Sequence, residues 1–156
     1  MTTNNENIRI LGKGITALAL KDKFPNATLY DDNDFNQYDL NSNEYTVVSP
    51  GIPPYNNMVL YSKNLISDYD LFASSIPFSI WISGTNGKTT TTQMCQHLLE
   101  EYGSIYGGNI GVPLSHLDEK APIWILETSS FTLHYTNKAK PNIYILLPIS
   151  EDHITW

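Results

Sequence analysis

The sequence predicts an α/β protein built around parallel sheets, and three observations carry that prediction. Short apolar runs alternate with helix-compatible stretches, the pattern of β-α-β units. Two of the runs end in glycine-containing loops that open directly into a helix. With 41% hydrophobic and 16% charged residues the chain reads as globular, and 156 residues hold one ordinary domain or two small ones.

Ile8 to Leu11 reads as the first strand, followed by Gly12-Lys13-Gly14 and a helix over Ile15 to Lys23 with Ala17, Leu18 and Leu20 available for packing. Ala27 to Tyr30 and Tyr45 to Val48 read as the next strands, the latter stopped by the turn residues Ser49-Pro50-Gly51-Ile52-Pro53-Pro54. Asp31 to Glu44, rich in Asp and Asn, reads as mostly loop. These features predict a small Rossmann-like domain over residues 1–76. A second unit, 77–156, begins after Ser74-Ser75-Ile76-Pro77 with the buried-strand candidate Phe78 to Ile82. Lys88 to Tyr102 reads as a helix whose apolar face carries Met94, Leu98, Leu99 and Tyr102, and Gly103 stops it. Pro122 to Leu126 and Asn142 to Leu147 complete a unit of about three strands, thin for an independent α/β layer, which predicts a truncated second domain.

Composition excludes several classes of function. Nine Lys and Arg against sixteen Asp and Glu give a net charge of −7, which argues against nucleic acid as the main partner. Cys95 is the lone cysteine, so no disulfide framework or cysteine zinc site forms within one chain, and the thiol suits a reducing, cytoplasmic setting. No apolar run approaches the roughly 18 residues of a membrane span, and the polar start lacks the basic and apolar regions of a signal peptide.

The sharpest chemical signal is Gly84-Thr85-Asn86-Gly87-Lys88-Thr89-Thr90, set between an apolar strand and a helix. Ile82 stands where a full Walker A pattern has its first glycine. The physical parts are nevertheless present: glycines let the backbone wrap an anion, N–H groups at the helix start converge on it, Lys88 supplies a cation and Thr89 a hydroxyl for Mg²⁺. Lys88 is the only Lys or Arg between Lys63 and Lys120. A cation at a helix N-terminus opposes the helix dipole, so fold stability explains it poorly. Glu127 closes the apolar run Ile123-Trp124-Ile125-Leu126 and is expected at the carboxyl end of a buried strand, where a lone carboxylate needs a partner or a metal. Ser49 and Gly51 can offer a hydroxyl and an N–H to a diphosphate or merely end a strand, and Gly-Asn-Ile-Gly around Asn109 is equally what a turn needs. His97, His116 and His134 read as structural or exposed, and Cys95 as packing.

Gly84 to Thr90 resembles the GTNGKTT phosphate loop of the Mur ligases, ATP-dependent amide-forming enzymes of peptidoglycan precursor synthesis to which folylpolyglutamate synthase is related. Gly107-Gly108-Asn109-Ile110-Gly111, Glu127-Thr128-Ser129-Ser130-Phe131-Thr132-Leu133 and Ile149-Ser150-Glu151-Asp152-His153 resemble further segments of that family, in its order. Gly12-Lys13-Gly14-Ile15-Thr16 and Ser49-Pro50-Gly51-Ile52 resemble its nucleotide-sugar loops. The resemblance implies the front part of a ligase with a P-loop ATPase domain, and within the family the branch that adds D-glutamate to UDP-N-acetylmuramoyl-L-alanine through an acyl phosphate. It implies ATP phosphate binding by Gly84 to Thr90, catalytic roles for Lys88, Glu127 and His153, and Mg²⁺ held by Thr89, Glu127 and His153. Substrate contacts are implied for Gly14, Ile15, Thr16, Asp31, Asp32, Ser49, Pro50, Gly51 and Asn109.

Four departures accompany it. Ala17 replaces the last glycine of a dinucleotide-type loop, Pro148 stands where an asparagine is usual, and Asp31-Asp32-Asn33 lacks an arginine expected near the uridine in some members. The chain is also less than half the length of such a ligase, so the C-terminal domain that helps bind ATP and the incoming amino acid, and a lysine carbamylated in the family, are expected to lie outside it. A ligase with another acceptor, and a nucleotide-sugar-binding module without activity of its own, remain as alternative readings.

Overall fold

The computed structural model describes residues 7–151, so the predicted site residue His153 lies outside the described residues. Two parallel four-stranded sheets organise the chain. In the first, β1 (Ile8–Leu11), β2 (Thr28–Tyr30), β3 (Tyr45–Val48) and β4 (Leu65–Ile66) lie in the order β2-β1-β3-β4. Helix α1 (Ile15–Lys23) follows β1, and the short α2 (Asn57–Tyr61) and α3 (Asp68–Leu71) follow β3 and β4. The second sheet has the order β6-β7-β5-β8, from β5 (Phe78–Ser83), β6 (Ser104–Gly108), β7 (Ile123–Glu127) and β8 (Ile143–Leu146). Helix α4 (Lys88–Leu99) links β5 to β6, and α5 (Ser130–Tyr135) follows β7.

The apolar pattern of the strands explains the layers. Along β5 and β7 the side chains alternate: Ile80, Ile82 and Ile125 face α4, where Cys95 and Leu99 pack on them. Trp81, Trp124 and Leu126 face the other way and share a core with Ile8, Ile10, Val47 and Leu20 of the first unit. The first unit thus covers one face of the second sheet, and α4 covers the other.

Three sequence expectations are corrected. The second unit has four strands, because Ser104–Gly108 pairs with β7; its terminal Gly107 and Gly108 hide a strand from any propensity argument. Helix α4 ends at Leu99 and tightens into a 3-10 turn, Glu100–Tyr102, and its buried side is Thr92, Cys95 and Leu99. Met94, Leu98 and Tyr102 are 60%, 72% and 68% exposed, since that row points away from the sheet. Leu18 is likewise exposed, while Ala17, Ala19 and Leu20 form the buried side of α1. The Asp31 to Glu44 stretch also contains a 3-10 helix, Asp32–Gln37, capped by Asp31.

Candidate functional site

Both glycine loops sit at the carboxyl ends of their sheets, where the connections leave to opposite sides and open a crevice. In the second sheet, β5 runs through Ser83 into Gly84, whose φ of +138° suits glycine and whose missing Cβ would stand 2.7 Å from Leu147 Cβ. The chain turns again at Gly87 and enters α4 at Lys88. The Lys88 ammonium donates to the carbonyls of Gly84 (2.6 Å) and Thr85 (3.0 Å), so the cation lies across its own loop. Thr85 ties the loop to the segment after β8, donating to Ser150 O and accepting from Ser150 N–H.

Glu127 ends β7, the neighbour of β5, in register with Ile82. It is 3% exposed, and the Thr89 hydroxyl donates to its Oε2 at 2.8 Å. Asn109 approaches from the loop after β6: its N–H donates to Glu127 O at 2.8 Å and its Nδ2 to Oε1 at 3.4 Å. No lysine or arginine among the described residues pairs with this carboxylate. A buried carboxylate and a threonine hydroxyl beside a lysine-bearing glycine loop form an oxygen donor set suited to a hard divalent cation that keeps part of its water shell. Among the described residues no cluster of three or more His, Cys, Asp or Glu forms a metal site.

A cavity of about 340 Å³ opens in front of this loop, lined by Gly84, Lys88, Asn109, Ser129, Ser130 and Phe131 among others. A second, of about 290 Å³, lies between the units, with Ile15, Thr16 and Pro50 on one wall and Gly108 to Gly111 on the other. Asn109 lines both, so the two cavities adjoin. In the first unit Gly14 caps α1 without a side-chain bond, leaving the N–H groups of that helix start to the crevice. Ser49 Oγ is buried there with no hydrogen-bond partner among the described residues. Pro50 and Gly51 continue the turn.

Asp31 follows β2 directly and caps the 3-10 helix Asp32–Gln37. The Lys13 ammonium, 2.8 Å away, holds its carboxyl below the ordinary value, and Lys13 also reaches Asp34 at 2.9 Å. Asp32 accepts from Asn56 Nδ2 at 2.6 Å. Cys95 packs under α4, its thiol pushed up by burial, as expected of an inert core cysteine. His97 and His116 lie at the surface, 3.5 Å from Glu100 and 3.2 Å from Asp22.

Sequence reasoning missed Asp68 and Tyr69, both buried in α3 and both lining the cavity between the units. Tyr69 stacks edge-on against Trp81, and its hydroxyl donates to Glu127 O at 3.5 Å. The only signal in the sequence is two acids flanking a tyrosine in Ser67-Asp68-Tyr69-Asp70.

These features define an α/β protein with a glycine-rich, lysine-bearing loop beside a buried carboxylate, and the comparisons place it among known proteins. Residues 82–155 match the Mur ligase middle domain. The UDP-N-acetylmuramoylalanine–D-glutamate ligase of Campylobacter jejuni strain 81-176 is 51% identical over 161 residues, 93% of this chain and 40% of that protein. The ligase of the same name from Helicobacter pylori strain J99 is 46% identical, over 96% of this chain and 41% of its own. A solved structure, the UDP-N-acetylmuramate:L-alanyl-γ-D-glutamyl-meso-diaminopimelate ligase from Neisseria meningitides, shares the fold. Its TM-score is 0.54 at 20% identity, over 95% of this chain and 62% of that one. The chain belongs to the Mur ligase family. It spans about 40% of the length of the curated relatives it matches.

Proposed function

We propose that the chain is the nucleotide-sugar-binding and phosphate-binding part of an ATP-dependent, cytoplasmic ligase that adds D-glutamate to UDP-N-acetylmuramoyl-L-alanine. The contact that carries the reading is Thr89 to Glu127 at 2.8 Å, which joins the phosphate loop to the only buried carboxylate at its edge of the sheet among the described residues. The choice of D-glutamate and of the UDP-sugar rests on the relatives' names and on 45–51% identity.

In this reading Gly84 to Thr90 cradles the ATP phosphates, and Lys88 leaves the Gly84 and Thr85 carbonyls to meet the transferring phosphoryl group. Its charge stabilises negative charge on that group, the main source of phosphoryl-transfer catalysis. Thr89 and Glu127, with His153, hold Mg²⁺, which when bound neutralises phosphate charge. Gly14, Ile15 and Thr16 present the α1 N-terminus to the substrate diphosphate, with Ser49, Pro50 and Gly51 on the other bank of the crevice and Asp31 and Asp32 toward the uridine. Asn109, shared by both cavities, orients the substrate between diphosphate and phosphate loop. The acyl phosphate then formed awaits the amine of D-glutamate, whose site is assigned to the part of the relatives this chain does not span.

Calorimetry with UDP-N-acetylmuramoyl-L-alanine and, separately, with Mg·ADP tests the reading. Both ligands should bind, and Lys88→Ala should weaken only the nucleotide, by about tenfold to a hundredfold for a lost charge-assisted contact. Absence of heat with both ligands at millimolar concentration, on folded protein, refutes it.

A further inference from the structure

Asp68 is a buried carboxylate that the reading above does not use. It is 5% exposed and stands in the wall of the cavity between the units, where it is the one charged side chain of the lining. Among the described residues, the hydrogen bond it accepts from outside itself is that of the Tyr69 N–H, at 3.1 Å on Oδ1. Its neighbour Asp70 shows what a carboxylate with a purely structural task looks like here. Asp70 accepts three backbone N–H groups, from Asn137 (2.8 Å), Lys138 (2.7 Å) and Ala139 (2.8 Å), and so pins the turn after α5 to α3. Asp68 pins nothing comparable, and among the described residues no cation offsets its charge. A polar group left this way costs stability, and burial raises its pKa to about 6, so the fold alone gives no reason for it.

We propose that Asp68 is a substrate-positioning residue that accepts a hydrogen bond from a neutral donor, a hydroxyl or amide N–H, on the sugar portion of a UDP-sugar bound between the two units. The inference rests on the nucleotide-sugar reading and adds to it the group that reads the sugar. The geometry favours a neutral donor over the diphosphate. The helix start at Gly14 to Thr16 draws phosphate to one wall of the cavity, whereas a carboxylate repels it from its own. Asp68 therefore fixes direction as well as contact: diphosphate toward α1, sugar toward Asp68 and Asn109. An amide N–H or hydroxyl meeting a buried carboxylate forms a charge-assisted bond, stronger than a neutral one.

The test is calorimetry with UDP and with UDP-N-acetylmuramoyl-L-alanine on the intact 156-residue chain and on Asp68→Asn. Asparagine keeps the shape and an acceptor for the Tyr69 N–H while removing the charge; Asp68→Ser serves as a second variant should the first fail to fold. Affinity for the UDP-sugar should fall about tenfold to a hundredfold. Affinity for UDP, which keeps only its ribose and lacks the N-acetylmuramoyl sugar that Asp68 is proposed to contact, should stay within about twofold. Equal loss for both ligands, or no loss for either, overturns the assignment. Failure of the unaltered chain to bind either ligand overturns instead the nucleotide-sugar reading on which it stands.

Discussion

Replacing Asp68 by asparagine should make the protein more stable at neutral pH and leave it unchanged in acid. Burial is the main cause of the raised Asp68 pKa, reinforced by the nearby Asp70 charge and opposed by the Tyr69 N–H. The folded-state value is about 6 against an ordinary 3.8. Below about pH 3 the carboxyl is protonated in both states and contributes no pH dependence. Between pH 4 and pH 6 the unfolded chain releases this proton while the folded chain keeps it. Stability therefore falls as pH rises, and it levels off once the folded form has ionised too. A shift of roughly two units corresponds to about 3 kcal/mol at pH 7, an upper figure for one residue. Asparagine has no such titration. Urea unfolding of both proteins at pH 4, 5, 6 and 7 should give a stability difference that grows with pH, in favour of the variant. A difference that stays constant from pH 4 to pH 7 would show that Asp68 is not buried without a partner, and would remove the ground for its assignment to the substrate. Stabilisation at neutral pH joined to weaker sugar binding is the trade expected of a functional residue.

Three further outcomes follow from the packing. Gly108→Ala should destabilise by about 2–4 kcal/mol in thermal or urea unfolding, because φ is +98° and the added Cβ would sit 2.6 Å from Glu127 O and 2.8 Å from Tyr69 Oη; a loss under about 0.5 kcal/mol would contradict the close approach of β6 to β7. Asp70→Ala should cost about 2–4 kcal/mol by stranding three backbone N–H groups, and amide exchange at Asn137, Lys138 and Ala139 should quicken. Leu98→Ala should stay within about 0.5 kcal/mol, whereas Leu126→Ala should lose about 2–5 kcal/mol; comparable losses would mean that the outer row of α4 is buried after all.

What was legible in the sequence was what is local. A strand, a glycine turn and a helix bearing Lys88 and Thr89 are contiguous, and their chemistry follows from residue order. Glu127 was legible because a carboxylate ending an apolar run announces a buried strand end. The face of α4 was misread because two rows of the helix satisfy the same spacing: Met94, Leu98 and Tyr102 form one, Thr92, Cys95 and Leu99 the other. Larger side chains made the wrong row more conspicuous, and only docking on Ile80, Ile82 and Ile125 decides between them. Strand β6 was hidden because Gly107 and Gly108 are dictated by close approach to Val112 and Glu127, a tertiary demand with no local signature. Asp68 and Tyr69 belong to the same kind: a four-residue helix has no periodicity to read, and their importance arises where α3 meets the second sheet.

That meeting determines how the two sites relate. The face of the second sheet that carries Trp81, Trp124 and Leu126 is covered by Ile8, Ile10, Leu20 and Val47, so the first unit supplies one side of the core that packs on β5 and β7. At its edge Tyr69 bridges the layers, with its backbone beside Asp68 and its hydroxyl on the Glu127 carbonyl. The Glu127 backbone receives the Asn109 N–H, and the Glu127 side chain receives the Thr89 hydroxyl from the start of α4. A group bound against Asp68 is thus two residue contacts from the carboxylate that faces the loop. Short hydrogen-bonded paths through fully buried side chains have few alternative arrangements, so they transmit position and not merely proximity. In the proposed ligase the arrangement would serve a long substrate anchored by its diphosphate that must present a distant carboxylate to a phosphoryl donor, because misplacement by about 1 Å costs on the order of a hundredfold in rate. Under that proposal, holding Glu127 from the first unit would place both ends of the substrate in one frame.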